Sequence, residues 1–171
     1  DVVSSVRRAV HPSVRAQALV LLLITRPAVQ GLRVAREAGF YGPTFTMSFT
    51  AGGELMSAGD VVRGLGLVSA FPLPRASVDP VARSFRQEAE DFGTGDISSS
   101  LTALEGFVYG SVLAAAVSRC GSGADRELLM STLARRPGVR LGADTIDFDS
   151  QLVGRTPLQV VYFDRQGALR A

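Results

Sequence analysis

The clearest chemical potential in this sequence lies in Ser48-Phe49-Thr50, the run that ends the alternating segment "TFTMSFT". Its two hydroxyls could donate hydrogen bonds to a polar group of a ligand, with the Phe49 ring as a wall beside them. In an open parallel sheet, ligands settle beyond the carboxyl ends of the strands, where backbone groups and helix N-termini face the crevice. The same hydroxyls also suit a plainer role, capping the helix that follows. The residues alone leave both roles open.

Other chemistries find less support. His11 is the single histidine. It stands beside Pro12 at a helix end, and no G-x-S-x-G serine turn could use it as a base, so a Ser-His-Asp triad is not expected. The segment "GLGLVS" at residues 64–69 has two glycines of a dinucleotide fingerprint but lacks the third. It also leads into a strand instead of from a strand into a helix, so the phosphate geometry fails. Asp144, Asp147 and Asp149 share one short segment, yet calcium takes about six to eight oxygens from a looped segment with glycine at its bend. These acids read as solubilising strand ends. With no Walker loop and no Cys/His zinc spacing, the expectation is a protein without catalytic residues, cofactor or metal, and not an enzyme.

Composition narrows the partners. The 171 residues are 46% hydrophobic, enough for a real core. All 18 basic residues are arginine, set against 16 acids for a formal charge of +2. No basic run is interleaved with aromatics, so no nucleic-acid partner is expected. Cys120 is alone, which excludes an intrachain disulfide. The most apolar run, "AQALVLLLI" at residues 16–24, falls well short of the roughly 20 residues a membrane helix needs. The opening "DVVSSVRRAV" reads as the interior of a helix whose beginning is cut off, so a processed or truncated chain is expected.

The elements that must position these residues follow from spacing. Val2, Val6 and Val10 make a short amphipathic helix that His11-Pro12 ends. Residues 16–24 lack alternation, as in a central parallel strand covered on both faces. Pro27 suits a first helical turn, Ala28, Leu32 and Ala35 form a buried stripe, and Gly39 supplies a left-handed stop. Residues 44–49 alternate Thr44, Thr46 and Ser48 against Phe45, Met47 and Phe49, a strand with one polar face. A short helix around residues 54–62 and a strand at 64–71 complete a strand-helix-strand-helix-strand order, which implies a right-handed parallel sheet.

Pro72 and Pro74 then end the strand, since proline lacks a donor and suits an extended exit from a sheet. Beyond them Asp79 caps a helix with Pro80 in its first turn and a stripe of Phe85, Ala89 and Phe92. A longer helix near residues 100–121 places Gly106, Gly110 and Ala114 four apart, and a third spans 125–135. No strand is expected between residues 74 and 142, so these helices need a sheet from elsewhere. Strand-like pieces at 144–149 and 158–170 end the chain, the latter a hairpin turning at "DRQG".

This order resembles the C-terminal half of a type I periplasmic solute-binding protein, of the leucine/isoleucine/valine-binding family that serves ABC importers. The resemblance is carried by "QGLRVAREAGFYGP", "GDVVRGLGLVSAFP", "ARSFRQEAEDF", "ALEGFVYGSVLAAAVSRCG" and "VVYFDRQGALR", which together cover almost the whole sequence. It implies an α/β fold of two lobes with doubly wound parallel sheets, here a partial chain lacking most first-lobe strands. Residues 1–70 and 150–171 would form the second lobe. Residues 71–149 would supply first-lobe helices, with lobe crossings at "FPLP" and near 142–149.

The resemblance further implies capture of a small solute, an amino acid or related carboxylate, between the lobes, with a membrane ABC permease as partner and a periplasmic location. An aromatic residue that follows glycine near the start of the long first-lobe helix faces the cleft in that family. The matching position here is Phe107, where tyrosine is common, and Glu105 just before it could face an amino group. On spacing alone Phe107 is equally a core residue and Glu105 a solvated helix glutamate. Two other classes remain: a ligand-sensing regulatory domain of the same fold, and an α/β enzyme whose catalytic residues lie outside this segment.

Overall fold

A computed structural model describes residues 1–75, 78–134, 138–141, 144–148, 154–155 and 158–170. In chain order the described helices are α1 (Val2–Ala9), α2 (Thr25–Glu37), α3 (Gly53–Met56), α4 (Pro80–Asp91), α5 (Leu101–Cys120) and α6 (Arg126–Ala134). The described strands are β1 (Leu19–Leu21), β2 (Thr44–Met47), β3 (Leu65–Ser69), β4 (Val139–Leu141), β5 (Asp144–Phe148), β6 (Gly154–Arg155), β7 (Gln159–Phe163) and β8 (Leu169–Arg170). The chain divides into two compact units, Asp1–Ala70 with Leu158–Ala171, and Phe71–Pro157. The return to the first unit thus falls at residue 158, not near 150.

The first unit is built on a sheet of order β1-β2-β3-β7-β8. β1, β2 and β3 are parallel, whereas β7 runs antiparallel to β3 and β8 antiparallel to β7. The sheet is therefore mixed instead of wholly parallel, because the returning chain enters as a hairpin. Its inner face buries Leu19, Leu21, Leu65, Leu67, Val161 and Phe163 against the Ala28, Leu32 and Ala35 stripe of α2. α1 packs on α2 around Gly31, where a Cβ would make only ordinary contacts, 3.4 Å from the Val6 side chain and 3.7 Å from Leu21.

Several local expectations hold for local reasons. Gly39 ends α2 at φ 81°, a left-handed conformation that glycine adopts without a Cβ clash. Arg36 reaches from the last turn of α2 to the Phe40 carbonyl at 2.9 Å, and its guanidinium lies 5.6 Å from the Tyr41 ring centroid. Burial draws the Arg36 pKa below the ordinary arginine value, and Tyr41 opposes that shift. Asp1 caps α1 by accepting a hydrogen bond from the Val3 amide at 3.1 Å. The helix expected around residues 54–62 is in fact two pieces, α3 and a 3-10 turn at Gly59–Val62, parted where Gly59 takes φ 62°.

Two expectations change. β1 is three residues long and stands at the end of the strand order, so residues 16–24 do not form a central strand. Val20 and Leu22 are left 61% and 70% exposed. The strand read at 44–49 ends at Met47, and its polar face turns inward: Thr44 and Thr46 are buried while Phe45 and Met47 are half-buried.

The second unit has its own core. Asp79 caps α4 through hydrogen bonds from the Val81 and Ala82 amides at 2.7 and 3.3 Å. Val81, Ala82, Phe85 and Ala89 bury its inner face with Leu101, Leu104, Val108 and Ala116 of α5. Phe92, expected in that stripe, falls just past the end of α4 and is 79% exposed. Arg86 donates to the Pro74 carbonyl and so ties α4 to the segment that follows β3. α5 is long and apolar enough by composition to cross a bilayer. Here it packs beside α4, α6 and β4, with Arg119 donating to the Gly138 carbonyl at 3.1 Å and Cys120 bonded to the Thr132 hydroxyl at 3.4 Å. A small antiparallel sheet, β4-β5-β6, lies in this unit. β4 thus supplies a strand where none was expected before residue 142. Asp149 and Gly142 lie outside the described residues.

The β7–β8 turn generates a pH prediction. Asp164 accepts from the Gln166 and Ala168 amides and from Arg170 Nε, all at 2.9 Å, and the Arg170 hydrogen bond foremost holds its carboxyl below the ordinary value. A depressed carboxyl stabilises the fold above the unfolded-state pKa, and that contribution disappears as pH falls through the folded-state value. Asp164→Ala should therefore lower Tm at neutral pH, and the difference from wild type should shrink as the pH of the melts falls through the folded-state value.

Candidate solute-binding site

The carboxyl ends of the three parallel strands point the same way, so the loops that leave them gather at one end of the first sheet. β1 runs out through residues 22–24 into α2, β2 through the 3-10 turn Ser48–Thr50 into α3, and β3 ends at Ser69. The loop after β2 sits against the start of α2 because residue 52 is glycine. A Cβ there would come within 2.9 Å of Thr25 Oγ1.

A hydroxyl ladder fixes this end of the sheet. Thr46 Oγ1 donates to the Leu21 carbonyl at 2.6 Å, Thr50 Oγ1 donates to the Leu23 carbonyl at 2.9 Å, and the two hydroxyl oxygens stand 3.0 Å apart. Two protons serve these three contacts, so the pair acts as one unit. Thr50 is completely buried, and its hydroxyl is engaged by the protein itself. That bond holds the turn in place, and Thr50 does not cap α3, which begins at Gly53 with no side-chain cap.

Phe49 is the member of the trio that faces outward, 51% exposed on the same turn. Ser48 is buried. Met47 pairs with Val68, and the chain leaves β2 at Ser48 and β3 after Ser69, both at this end of the sheet. Ser69 is also buried. Among the described residues no buried side-chain nitrogen or oxygen lacks a hydrogen-bond partner. α2 starts after Ile24 without a side-chain cap, so its first amide donors carry the helix-end partial positive charge unshielded by a side chain of that residue. Ser69 and the start of α2 escaped the sequence reading. A serine closing the apolar run "LGLVS" was the available signal for the former.

The second unit carries the other two candidates. Glu105 and Phe107 stand one turn in from the Ser100 cap of α5 and are half-buried. The Phe107 ring lies 5.6 Å from Phe85, tilted by 49°, and Tyr109 meets Phe71 edge-on at 6.0 Å. One side of Phe107 is therefore a packing surface within this unit. The structure brings Ser48, Phe49 and Thr50 into one turn, and Glu105 and Phe107 onto one helix end. No cluster of three or more His, Cys, Asp or Glu side chains suited to a metal occurs among the described residues.

Set against known structures, this architecture has close counterparts. A substrate-binding periplasmic protein from Ralstonia solanacearum superposes with TM-score 0.80 and 28% identity, covering 98% of this chain and 48% of its own. A branched-chain amino acid ABC transporter protein from Thermus thermophilus with bound valine matches at TM-score 0.75 and 17% identity, covering 99% and 47%. An ABC transporter solute-binding protein from R. palustris in complex with benzoate matches at TM-score 0.70 and 15% identity, covering 95% and 44%. The chain has the type I periplasmic-binding-protein fold. It spans about half the length of the structures it matches. No protein-family model and no curated protein matches the sequence.

The ladder and the exposed ring should differ in what they contribute to stability. Thr50→Val keeps the volume but strands the Leu23 carbonyl, and should cost about 1–3 kcal/mol in urea denaturation. Phe49→Ala removes a half-exposed ring and should change stability by no more than about 0.5 kcal/mol.

Proposed function

We propose that this chain forms part of the solute-capturing component of an ABC importer and takes a small amino acid or related carboxylate. The observation that carries this reading is the shared fold with the Ralstonia solanacearum protein, 28% identical over 98% of the chain. The solutes named for the other two counterparts, valine and benzoate, both carry a carboxylate. A carboxylate suits the exits of the parallel strands, where the start of α2 supplies amide donors and Ser48 stands next to Phe49 in the chain.

In this reading Ser48 orients a polar group of the solute, Phe49 walls its apolar part, and Thr50 holds the turn that presents both. Glu105 offers its carboxylate to an amino group of the solute and Phe107 its ring to an apolar part. Capture shifts an open-closed equilibrium toward the closed form, which requires tighter binding to that form and not merely binding. A membrane permease then reads the closed form, and the location is periplasmic. The Thermus thermophilus and R. palustris counterparts are described as ABC transporter components, which supports that partner.

Thermal denaturation of the protein against a panel of amino acids and small aromatic and aliphatic carboxylates tests the reading. A ligand at one hundred times its Kd should stabilise by about 2.7 kcal/mol and raise Tm accordingly. Phe49→Ala should lose that shift while keeping its ligand-free Tm. A panel that moves Tm for no compound would overturn the assignment.

A further inference from the structure

We propose that the pocket at the amino ends of β2 and β3, between Arg36, Tyr41 and Arg63, binds a small organic carboxylate carried on a flat apolar group. The site stands at the opposite end of the sheet from Phe49 and is separate from solute capture.

Three pieces of chain form this pocket. α2 ends beside it with Arg36, the connection from α2 to β2 contributes Tyr41, and the 3-10 turn Gly59–Val62 borders it together with Arg63. Tyr41 precedes β2 and Arg63 precedes β3, whereas Ser48 and Ser69 stand at the other ends of the same strands. The cavity of about 340 Å³ falls at the small end of the range for small-molecule sites, about 300–1,000 Å³.

Arg36 is a cation already set in place. Its guanidinium donates to the Phe40 carbonyl at 2.9 Å and to the Arg63 carbonyl at 3.4 Å, and it lies 5.6 Å from the centroid of the Tyr41 ring. Arg63 is itself pinned, because the next amide, that of Gly64, donates to the Phe163 carbonyl at 2.8 Å. A guanidinium carries more N–H donors than the two bonds of Arg36 use, and among the described residues Arg36 has no acidic partner. The lowered pKa of Arg36 has the same origin, a cation drawn partly out of water. A ligand would therefore meet a donor group whose side chain is already ordered, which favours binding.

The rim shows which anion the site accepts. Asp60 places a carboxylate oxygen 2.6 Å from the Arg63 guanidinium, with both side chains more than half exposed. An exposed pair of this kind contributes little, so an incoming carboxylate can take the place of Asp60 on Arg63 while Arg36 supplies further donors. The planar fork of a guanidinium matches the two oxygens of a carboxylate. Two arginines and one acid line the pocket, which leaves a positive charge unmatched.

Tyr41 and Val61 form the apolar part of the lining. Phe40 folds against Gly42, where a Cβ would come within 2.7 Å of its ring, and Tyr41 is the ring left outside, 77% exposed. Its edge and free face, with Val61, suit a flat apolar group attached to the carboxylate. Inorganic phosphate would engage the arginines alone.

Titration of sodium benzoate into the isotope-labelled protein, made at the full length its own cells produce, tests this by amide NMR at Tyr41, Val61, Arg63 and Gly64. The expected result is a saturable shift at those amides, with binding about fivefold weaker in Arg63→Gln and about twofold tighter in Asp60→Asn, which removes the competing carboxylate. Acetate, which lacks the ring, should bind about threefold more weakly than benzoate. Both substituted side chains are exposed, so neither variant threatens the fold. Absence of a shift, a shift that never saturates, or one that phosphate reproduces at equal concentration would overturn the proposal. So would an Asp60→Asn variant that binds no tighter than wild type. Shifts confined to residues 48–50 and 69 would overturn this site and leave solute capture standing, whereas shifts confined to the pocket would leave this site standing alone.

Discussion

The hydrogen bonds from Thr46 and Thr50 to the carbonyls of Leu21 and Leu23 set the geometry on which the rest of the first unit depends. Carbonyls at the exit of a parallel strand have no further ladder to join, and burying them without donors is costly. The two threonines supply those donors from the neighbouring strand and its turn. In doing so they lock the exits of β1 and β2 together, fix the direction in which α2 starts, and leave Phe49 on the outer side of a turn that cannot easily relax. A polar face turned into the core is thus compatible with stability, because each hydroxyl is matched to a specific carbonyl.

The same logic of matched groups appears in the second unit on different terms. α5 is apolar nearly all round, yet only Leu101, Leu104, Val108 and Ala116 are buried along it. Its placement comes from its ends and its rings: the Ser100 cap, the Phe85–Phe107 and Phe71–Tyr109 contacts, and the Arg119 bond to Gly138. Directional contacts hold such a helix in register where a uniform apolar surface would let it slide. In both units the apolar content exceeds what the described residues bury, as expected of a chain that spans about half of the fold it shares with its counterparts.

Much of the architecture is legible in the sequence. The α2 stripe, the Asp79 cap, the glycine stop at Gly39 and the hairpin glycine at Gly167 all appear where spacing places them. Each depends on residues within one or two turns of each other. Phe92 was misjudged because its spacing matches the α4 stripe while the helix ends one residue earlier. The trio Ser48, Phe49 and Thr50 falls together in the turn after β2, but a local pattern does not tell its members apart. Whether a hydroxyl faces a ligand or the Leu23 carbonyl depends on a residue more than twenty positions away.

The sequence by itself determined the order of the helices and strands in the first unit, the parallel run of β1, β2 and β3, and the strand exit at which Ser48, Phe49 and Thr50 gather. These follow from periodicity, capping chemistry and the handedness of crossovers, all of which act over short stretches of chain. Only the tertiary structure decided that the threonine face of β2 turns inward, that β7 and β8 make the sheet mixed, and that β1 stands at an edge with Val20 and Leu22 uncovered. Those features are set by which distant strand lies alongside, and a local pattern of apolar and polar residues reads the same whichever neighbour is present.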